Sequence, residues 1–209
     1  EQHVKLAEEA AQQKADLILF PEMSLTGYQR SDARRLAFQK NDHRLIRLQE
    51  VADEKNITLI AGAPIQLGSD IFIGAFILQP NRPPEIYTKQ FLHGEEVHYF
   101  KNSFQFNPLL HFQHHKAAIA ICSDISTEKH VQAAVQRGAN LYLASIFFTP
   151  DGIDDAYLTL PKYAKKYGLN ILMSNYTHQS MHIKAAGKSA FWNKNGNLVN
   201  NLNETEQGL

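Results

Sequence analysis

Short apolar runs that stop abruptly at polar residues constrain this chain more than any other feature. Leu17-Ile18-Leu19-Phe20 stops at Pro21-Glu22, Ala118-Ile119-Ala120-Ile121 at Cys122-Ser123-Asp124, and Ile171-Leu172-Met173 at Ser174-Asn175. Such runs read as strands buried on both faces, because a strand with one wet face alternates apolar and polar residues. Between them the apolar spacing changes to the helical period. Residues 3–15 space Val4, Leu6, Ala7, Ala10 and Ala11 like a helix, and residues 31–55 carry one or two more through Leu36, Phe38, Leu45, Leu48 and Val51. Further helices are predicted over Thr127–Gln136, closed by Gly138, and over Asp154–Tyr167, closed by Gly168 as a left-handed cap.

Strands are expected over Ile57–Ala63, Ile71–Leu78, Ile86-Tyr87, Ala117–Ile121, Leu141–Ile146 and Ile171–Ser174. Asn81-Arg82-Pro83-Pro84 reads as a turn, and Asn195-Gly196 as a hairpin turn between Ser189–Trp192 and Leu198–Leu202. Residues 90–115, rich in His and Phe, read as irregular. Alternating β and α elements with added hairpins predict an α/β layer fold, a mixed sheet covered by helices. In open α/β sheets, sites collect at the carboxyl ends of strands. That rule alone points to Glu22, Cys122 and Asn175.

Composition removes several classes. A length of 209 residues suits one large α/β domain, here 1–209. A chain of this size buries about 70% of its unfolded surface and needs no staples. Lys and Arg total 21 and Asp and Glu total 21, so no basic excess favours nucleic acid. A single cysteine excludes an intrachain disulfide framework and a multi-cysteine zinc site. No apolar stretch approaches the ~18 residues of a membrane span. No GxGxxG or P-loop pattern suggests a nucleotide cofactor. No signal peptide is expected, and the setting is expected to be cytoplasmic. The chain starts at Glu1 inside a helical pattern and stops at an uncapped Leu209, so native terminal segments are expected to be missing.

Three residue types have the chemistry of a nucleophilic site. Cys122 follows a strand and precedes a helix capped by Ser126 or Thr127. There, nearby backbone N–H groups and the helix terminus lower a thiol pKa and hold an oxyanion. By position alone a buried core cysteine is the commoner reading. Glu22 at a strand end suits a desolvated general base, though a solvated glutamate is the commoner occupant. Lys89 suits a stabiliser of negative charge, though alone it reads as a surface lysine. His93, His98, His111, His114 and His115 lack the helical spacing and the cysteine neighbours of a metal site. They read as loop or surface residues, with a Cys–His pairing left open.

Taken together, these residues resemble the nitrilase superfamily, the carbon–nitrogen hydrolases. Three stretches carry the match: Ala15-Asp16-Leu17-Ile18-Leu19-Phe20-Pro21-Glu22-Met23-Ser24-Leu25-Thr26-Gly27-Tyr28, then Tyr87-Thr88-Lys89-Gln90-Phe91-Leu92, then Ile119-Ala120-Ile121-Cys122-Ser123-Asp124. Met173-Ser174-Asn175 and Gly187-Lys188-Ser189-Ala190-Phe191-Trp192 resemble later strands of the family. The resemblance spans nearly the whole chain.

It implies an α-β-β-α sandwich of mixed sheets flanked by helices, with the four layers forming when two protomers pair. It also implies a Glu22-Lys89-Cys122 triad working without metal or cofactor, and a homodimer or larger assembly. A second catalytic glutamate is expected from Gly94-Glu95-Glu96; Glu95 is preferred because it follows Gly94, with Glu96 as alternate. The spacing from Lys89 is shorter than the common pattern. The usual arginine-containing continuation is replaced by Ile125-Ser126-Thr127-Glu128. Further sheet is expected before residue 1 and after Leu209.

The implied chemistry is hydrolysis of a small amide through a thioester acyl-enzyme, with nitriles less expected as substrates. Tyr28, Phe147, Phe148 and Asn175 are expected to line the substrate pocket, and the Ser123 N–H to bind the oxyanion. Core aromatics and an ordinary turn asparagine are the alternative readings. The His-rich stretch is expected as a rim. Two rival functions remain: an N-acyltransferase using the same acyl-enzyme, and an inactive relative acting as a binding or assembly module.

Overall fold

The computed structural model describes residues 1–209. In chain order the elements are α1 (Gln2–Gln12), β1 (Leu17–Leu19), α2 (Ala33–Leu36), α3 (Ile46–Lys55), β2 (Thr58–Leu67), β3 (Asp70–Leu78), β4 (Glu85–Thr88), β5 (Leu109–Phe112) and β6 (His115–Ile121). They continue as α4 (Glu128–Gln136), β7 (Leu141–Ser145), α5 (Ile153–Tyr167), β8 (Asn170–Ser174), β9 (Gln179–Ser180), β10 (Ile183–Lys184), β11 (Ala190–Trp192) and β12 (Leu198–Asn201). None of the helices is long and apolar enough to cross a membrane.

The main strands form two sheets. One has the order β1-β2-β3-β4, the other β12-β11-β8-β7-β6-β5. In the first, β1 runs parallel to β2 and the rest pair antiparallel. In the second, β6, β7 and β8 are parallel and the flanking pairs antiparallel.

The period-2 geometry of a strand explains the unbroken apolar runs. On β3, Ile73, Ala75 and Ile77 point between the two sheets while Phe76 and Leu78 point to the outer layer. On β6, Ala117, Ile119 and Ile121 point between the sheets while Ala118 and Ala120 face the other way. Both faces of each strand are therefore dry. Ala7, Ala10, Leu48 and Val51 of α1 and α3 cover the first sheet. Val131, Ala134, Ile153, Ala156 and Leu160 of α4 and α5 cover the second.

One chain thus supplies all four layers of the α-β-β-α sandwich. This corrects the expectation that two protomers must pair to complete them: the two sheets already share a core within the chain. Of the one or two helices expected over 31–55 the structure has two, α2 and α3, with a 3-10 turn at His43–Leu45 between them. α3 ends at Asn56, left-handed at φ 53°. The irregular stretch 90–115 contains a 3-10 helix at Gly94–His98 and the short strand β5. The small β9–β10 hairpin carried no periodicity long enough to be read in advance.

Close packing brings the strand ends together. Gly62 on β2 lies against the turn after β1: a Cβ there would meet the backbone N of Met23 at 2.4 Å and O of Pro21 at 2.8 Å. The Leu25 N–H closes that turn onto Gly62 O at 2.9 Å. Across the sandwich, the Ser145 hydroxyl at the end of β7 donates to Phe20 O at 2.9 Å. The carboxyl ends of β1, β4 and β6 consequently meet between the sheets.

Candidate active site

Glu22, Lys89 and Cys122 each follow one of those three ends. Glu22 and Lys89 are fully buried, and Cys122 is 8% exposed. Lys89 continues the line of β4, its N–H donating to Ile73 O at 2.8 Å. Its Nζ donates to Glu22 Oε1 at 2.8 Å and to Glu96 Oε1 at 2.8 Å. Glu22 Oε2 has no hydrogen-bond partner. An unused carboxylate oxygen in a buried site is costly unless something transient uses it.

Cys122 opens a 3-10 turn, Cys122–Ser126, directly after β6. Its φ is +45°, in the left-handed region that non-glycine residues seldom occupy. The neighbours of such a residue must hold it there, and strain of this kind concentrates at functional sites. Its Sγ lies 4.0 Å from Phe147 O.

The second glutamate is Glu96, which corrects the choice of Glu95. Glu95 points outward and pairs with Arg30 at 3.3 Å, its side chain 73% exposed. Glu96 is 1% exposed. Besides Lys89, it accepts the Tyr28 hydroxyl at Oε1, 2.6 Å, and the His93 N–H at Oε2, 2.7 Å. The 3-10 helix at Gly94–His98 causes the swap, since its tight turn aims adjacent side chains in different directions and buries only Glu96.

The electrostatics follow from burial. Desolvation pushes the Glu22 carboxyl up to about 7; Lys89 opposes this and the Glu96 charge adds to it. Burial alone would lower Lys89, but the charges of Glu22, Cys122 and Glu96 outweigh it and hold the amine protonated. The Cys122 thiol is pushed up by desolvation and then by Glu22, with Lys89 pulling the other way. This corrects the expectation of a thiol lowered by its position alone. The resting cysteine is a thiol beside the Glu22 carboxyl.

The remaining candidates divide. Phe147 packs against Tyr28, ring centres 5.0 Å apart, and against Tyr176 at 5.1 Å. These rings form an aromatic wall next to the cysteine. The Ser123 hydroxyl donates to Phe91 O. Asn175 is spent on scaffolding. Its Oδ1 accepts the Phe148 N–H at 2.9 Å, and its Nδ2 donates to Gly187 O at 2.9 Å and to Phe148 O at 3.2 Å. Both amide hydrogens are used in a tie between two loops, while the residue also lines a cavity with Phe20, Pro21 and Tyr176. No group of three or more His, Cys, Asp or Glu side chains is arranged to hold a metal ion.

Sequence reasoning missed the role of Asp124, which is buried two residues beyond the cysteine and bonds both the segment after Lys89 and the strand end before Cys122. The signal was present: a carboxylate just inside a strand-to-helix turn is a natural acceptor for the turn's free N–H groups. It also missed Gly62, whose lack of a side chain only matters once β2 lies against the Glu22 turn.

A buried cysteine, lysine and glutamate at strand ends, joined by a second glutamate from a 3-10 helix, meet between the sheets of an α-β-β-α sandwich. The family model for carbon–nitrogen hydrolases matches residues 1–209, and the chain belongs to that family. Solved structures of the amidase from Nesterenkonia sp. AN1 share the fold. One, a variant showing Michael addition of acrylamide at the active-site cysteine, is 24% identical, with a TM-score of 0.89 over 97% of this chain and 81% of that one. A second, the amidase after removal of its tag, is 25% identical with a TM-score of 0.87 over the same shares. A third, a variant carrying the acetamide moiety of fluoroacetamide on its cysteine, is 24% identical with a TM-score of 0.86 over 97% and 79%. A search of curated proteins gave no match.

Proposed function

We propose that the chain hydrolyses a small amide through a thioester on Cys122. The observation that carries this reading is the shared hydrogen bonding of Lys89 Nζ to Glu22 and Glu96 beside the cysteine. One buried cation thus faces two carboxylates, and one of those has a free oxygen. That is the arrangement a proton shuttle and an oxyanion partner require. The amide adducts in the Nesterenkonia amidase structures, formed at its active-site cysteine, support the same substrate class here.

In the first half-reaction Glu22 takes the Cys122 proton as Sγ attacks the amide carbonyl carbon. Lys89 Nζ and the Ser123 backbone N–H hold the resulting oxyanion. The tetrahedral intermediate collapses, the C–N bond breaks, and Glu22 gives the proton to the leaving amine. In the second half Glu22 takes a proton from water, which attacks the thioester carbonyl. The carboxylic acid leaves and the thiol recovers its proton. The sum is amide plus water to acid plus amine. Glu96 holds Lys89 charged and in place throughout. A Glu22 poised at about 7 accepts and returns a proton with little penalty in either direction.

The test is iodoacetamide labelling of Cys122 against pH, followed by intact mass, together with ammonia release from short-chain amides. Labelling that rises near neutral pH and is slowed in a Glu22→Gln variant is the expected result, with amide turnover lost in Cys122→Ala. Identical labelling of wild type and Glu22→Gln would remove Glu22 as the base. No turnover of any short amide by a freely labelled protein would defeat the substrate assignment.

A further inference from the structure

Behind the site lies a buried polar chain that the mechanism leaves unused. Asp124 accepts four hydrogen bonds. Its Oδ1 takes the N–H groups of Gln90 at 3.0 Å and Phe91 at 2.9 Å, immediately after Lys89. Its Oδ2 takes the Ile121 N–H at 2.9 Å, immediately before Cys122, and the Tyr87 hydroxyl at 2.7 Å. One carboxylate therefore clamps the lysine segment to the nucleophile turn.

Tyr87 has a single hydroxyl proton, and it goes to Asp124. Its oxygen also lies 2.8 Å from His130 Nε2, so that nitrogen must be the donor. The other ring nitrogen, Nδ1, lies 2.7 Å from the Tyr142 hydroxyl and must accept from it. Tyr87 and Tyr142 are fully buried and His130 is 3% exposed. Burial lowers the His130 pKa against the pull of Asp124, which keeps the ring neutral. The opposite tautomer would present a lone pair to Tyr87 and compete with Asp124 for its proton.

We infer that Tyr87, His130 and Tyr142 are positioning residues of the reaction: Tyr142 selects the Nε2–H tautomer of His130, His130 directs the Tyr87 proton onto Asp124, and Asp124 fixes the separation of Lys89 and Cys122. This rests on the reading that Lys89 and Cys122 act together. Without the network the separation of Lys89 and Cys122 is no longer held, while every side chain that meets the substrate is kept, so the loss falls on turnover. A displacement near 1 Å costs up to about a hundredfold in rate.

The experiment combines kinetics with a spectrum of the unaltered protein. Tyr87→Phe and His130→Leu, each confirmed folded by its thermal transition, are expected to lower kcat about ten- to a hundredfold with KM little changed. His130→Gln, which keeps an N–H donor toward Tyr87, is expected to restore most of the turnover lost in His130→Leu. Nitrogen NMR of the wild-type imidazoles is expected to show His130 as the Nε2–H tautomer at neutral pH. Unchanged kcat in folded Tyr87→Phe, equal losses in the Leu and Gln variants, or an Nδ1–H or doubly protonated His130 would each overturn the proposal. The spectrum decides the matter even where a variant fails to fold. Retained turnover in Cys122→Ala would instead sink the functional reading itself, and the spectrum would not register it.

Discussion

Replacing Glu96 with glutamine separates a buried role from a surface one at adjacent positions. Glu96 accepts from Lys89 Nζ, the Tyr28 hydroxyl and the His93 N–H, and all three are donors. A glutamine keeps one oxygen and replaces the other with an NH2 group. Whichever way it turns, at least one donor faces a donor. Breaking a buried ion pair from one side costs ~3–5 kcal/mol. Lys89 keeps Glu22 at 2.8 Å, so the low end applies, about 3 kcal/mol. For a chain of this size each kcal/mol moves the melting temperature by about 2–4 °C, giving a drop of roughly 6–12 °C.

Glu95→Gln removes only an exposed pair to Arg30, worth at most about 1 kcal/mol and under ~4 °C. The assay is thermal unfolding by circular dichroism for both variants, with ammonia release from a short aliphatic amide. Turnover is expected to fall about a hundredfold in Glu96→Gln, through a displaced Lys89, and to stay near wild type in Glu95→Gln. Equal melting temperatures, or a larger loss of turnover in Glu95→Gln, would refute the placement of Glu96 at the centre of the cluster.

Three further outcomes follow from the same geometry. Gly62→Ala puts a Cβ 2.4 Å from Met23 N, so the Glu22 turn must move; a loss of about 1–3 kcal/mol in urea unfolding and a clear fall in kcat are expected, and a fully active, unshifted variant would contradict the close approach. Glu22 has its carboxyl raised by burial from 4.5 to about 7, so the folded chain holds a proton that the unfolded chain releases. Its contribution to stability is full below 4.5 and is lost as pH rises through about 7, a slope absent in Glu22→Gln, while kcat/KM rises over the same upper limb; an acid limb at 4.5 would show an unperturbed carboxyl. Asn175→Ala leaves buried partners at Phe148 and Gly187 unpaired and is expected to cost about 3 kcal/mol by urea unfolding; a raised KM with unchanged stability would instead return Asn175 to the substrate pocket.

How much of this was legible in advance depended on the range of each interaction. The strands at Leu17–Leu19, Asp70–Leu78 and Leu141–Ser145, and the helices at 128–136 and 153–167, followed from local apolar period and capping. Glu22, Lys89 and Cys122 were readable because each sits at the end of an apolar run within a recognisable stretch. The β9–β10 hairpin was not, because two-residue strands leave no period to detect.

The sequence by itself determined that strands buried on both faces would alternate with amphipathic helices, and that a carboxylate, an amine and a thiol would stand at strand ends. These are consequences of residue spacing along the chain. Tertiary structure decided which of two neighbouring glutamates enters the site, since the turn of a 3-10 helix, not chain position, aims Glu96 at Lys89 and Glu95 at Arg30. It tied Asn175 to Phe148 and Gly187, made Asp124 a clamp between segments 34 residues apart, and placed all four layers in one chain. It also set the protonation of the cluster. Desolvation and charge–charge distance are properties of packed space, and residues remote in sequence become neighbours only after the two sheets close on one another.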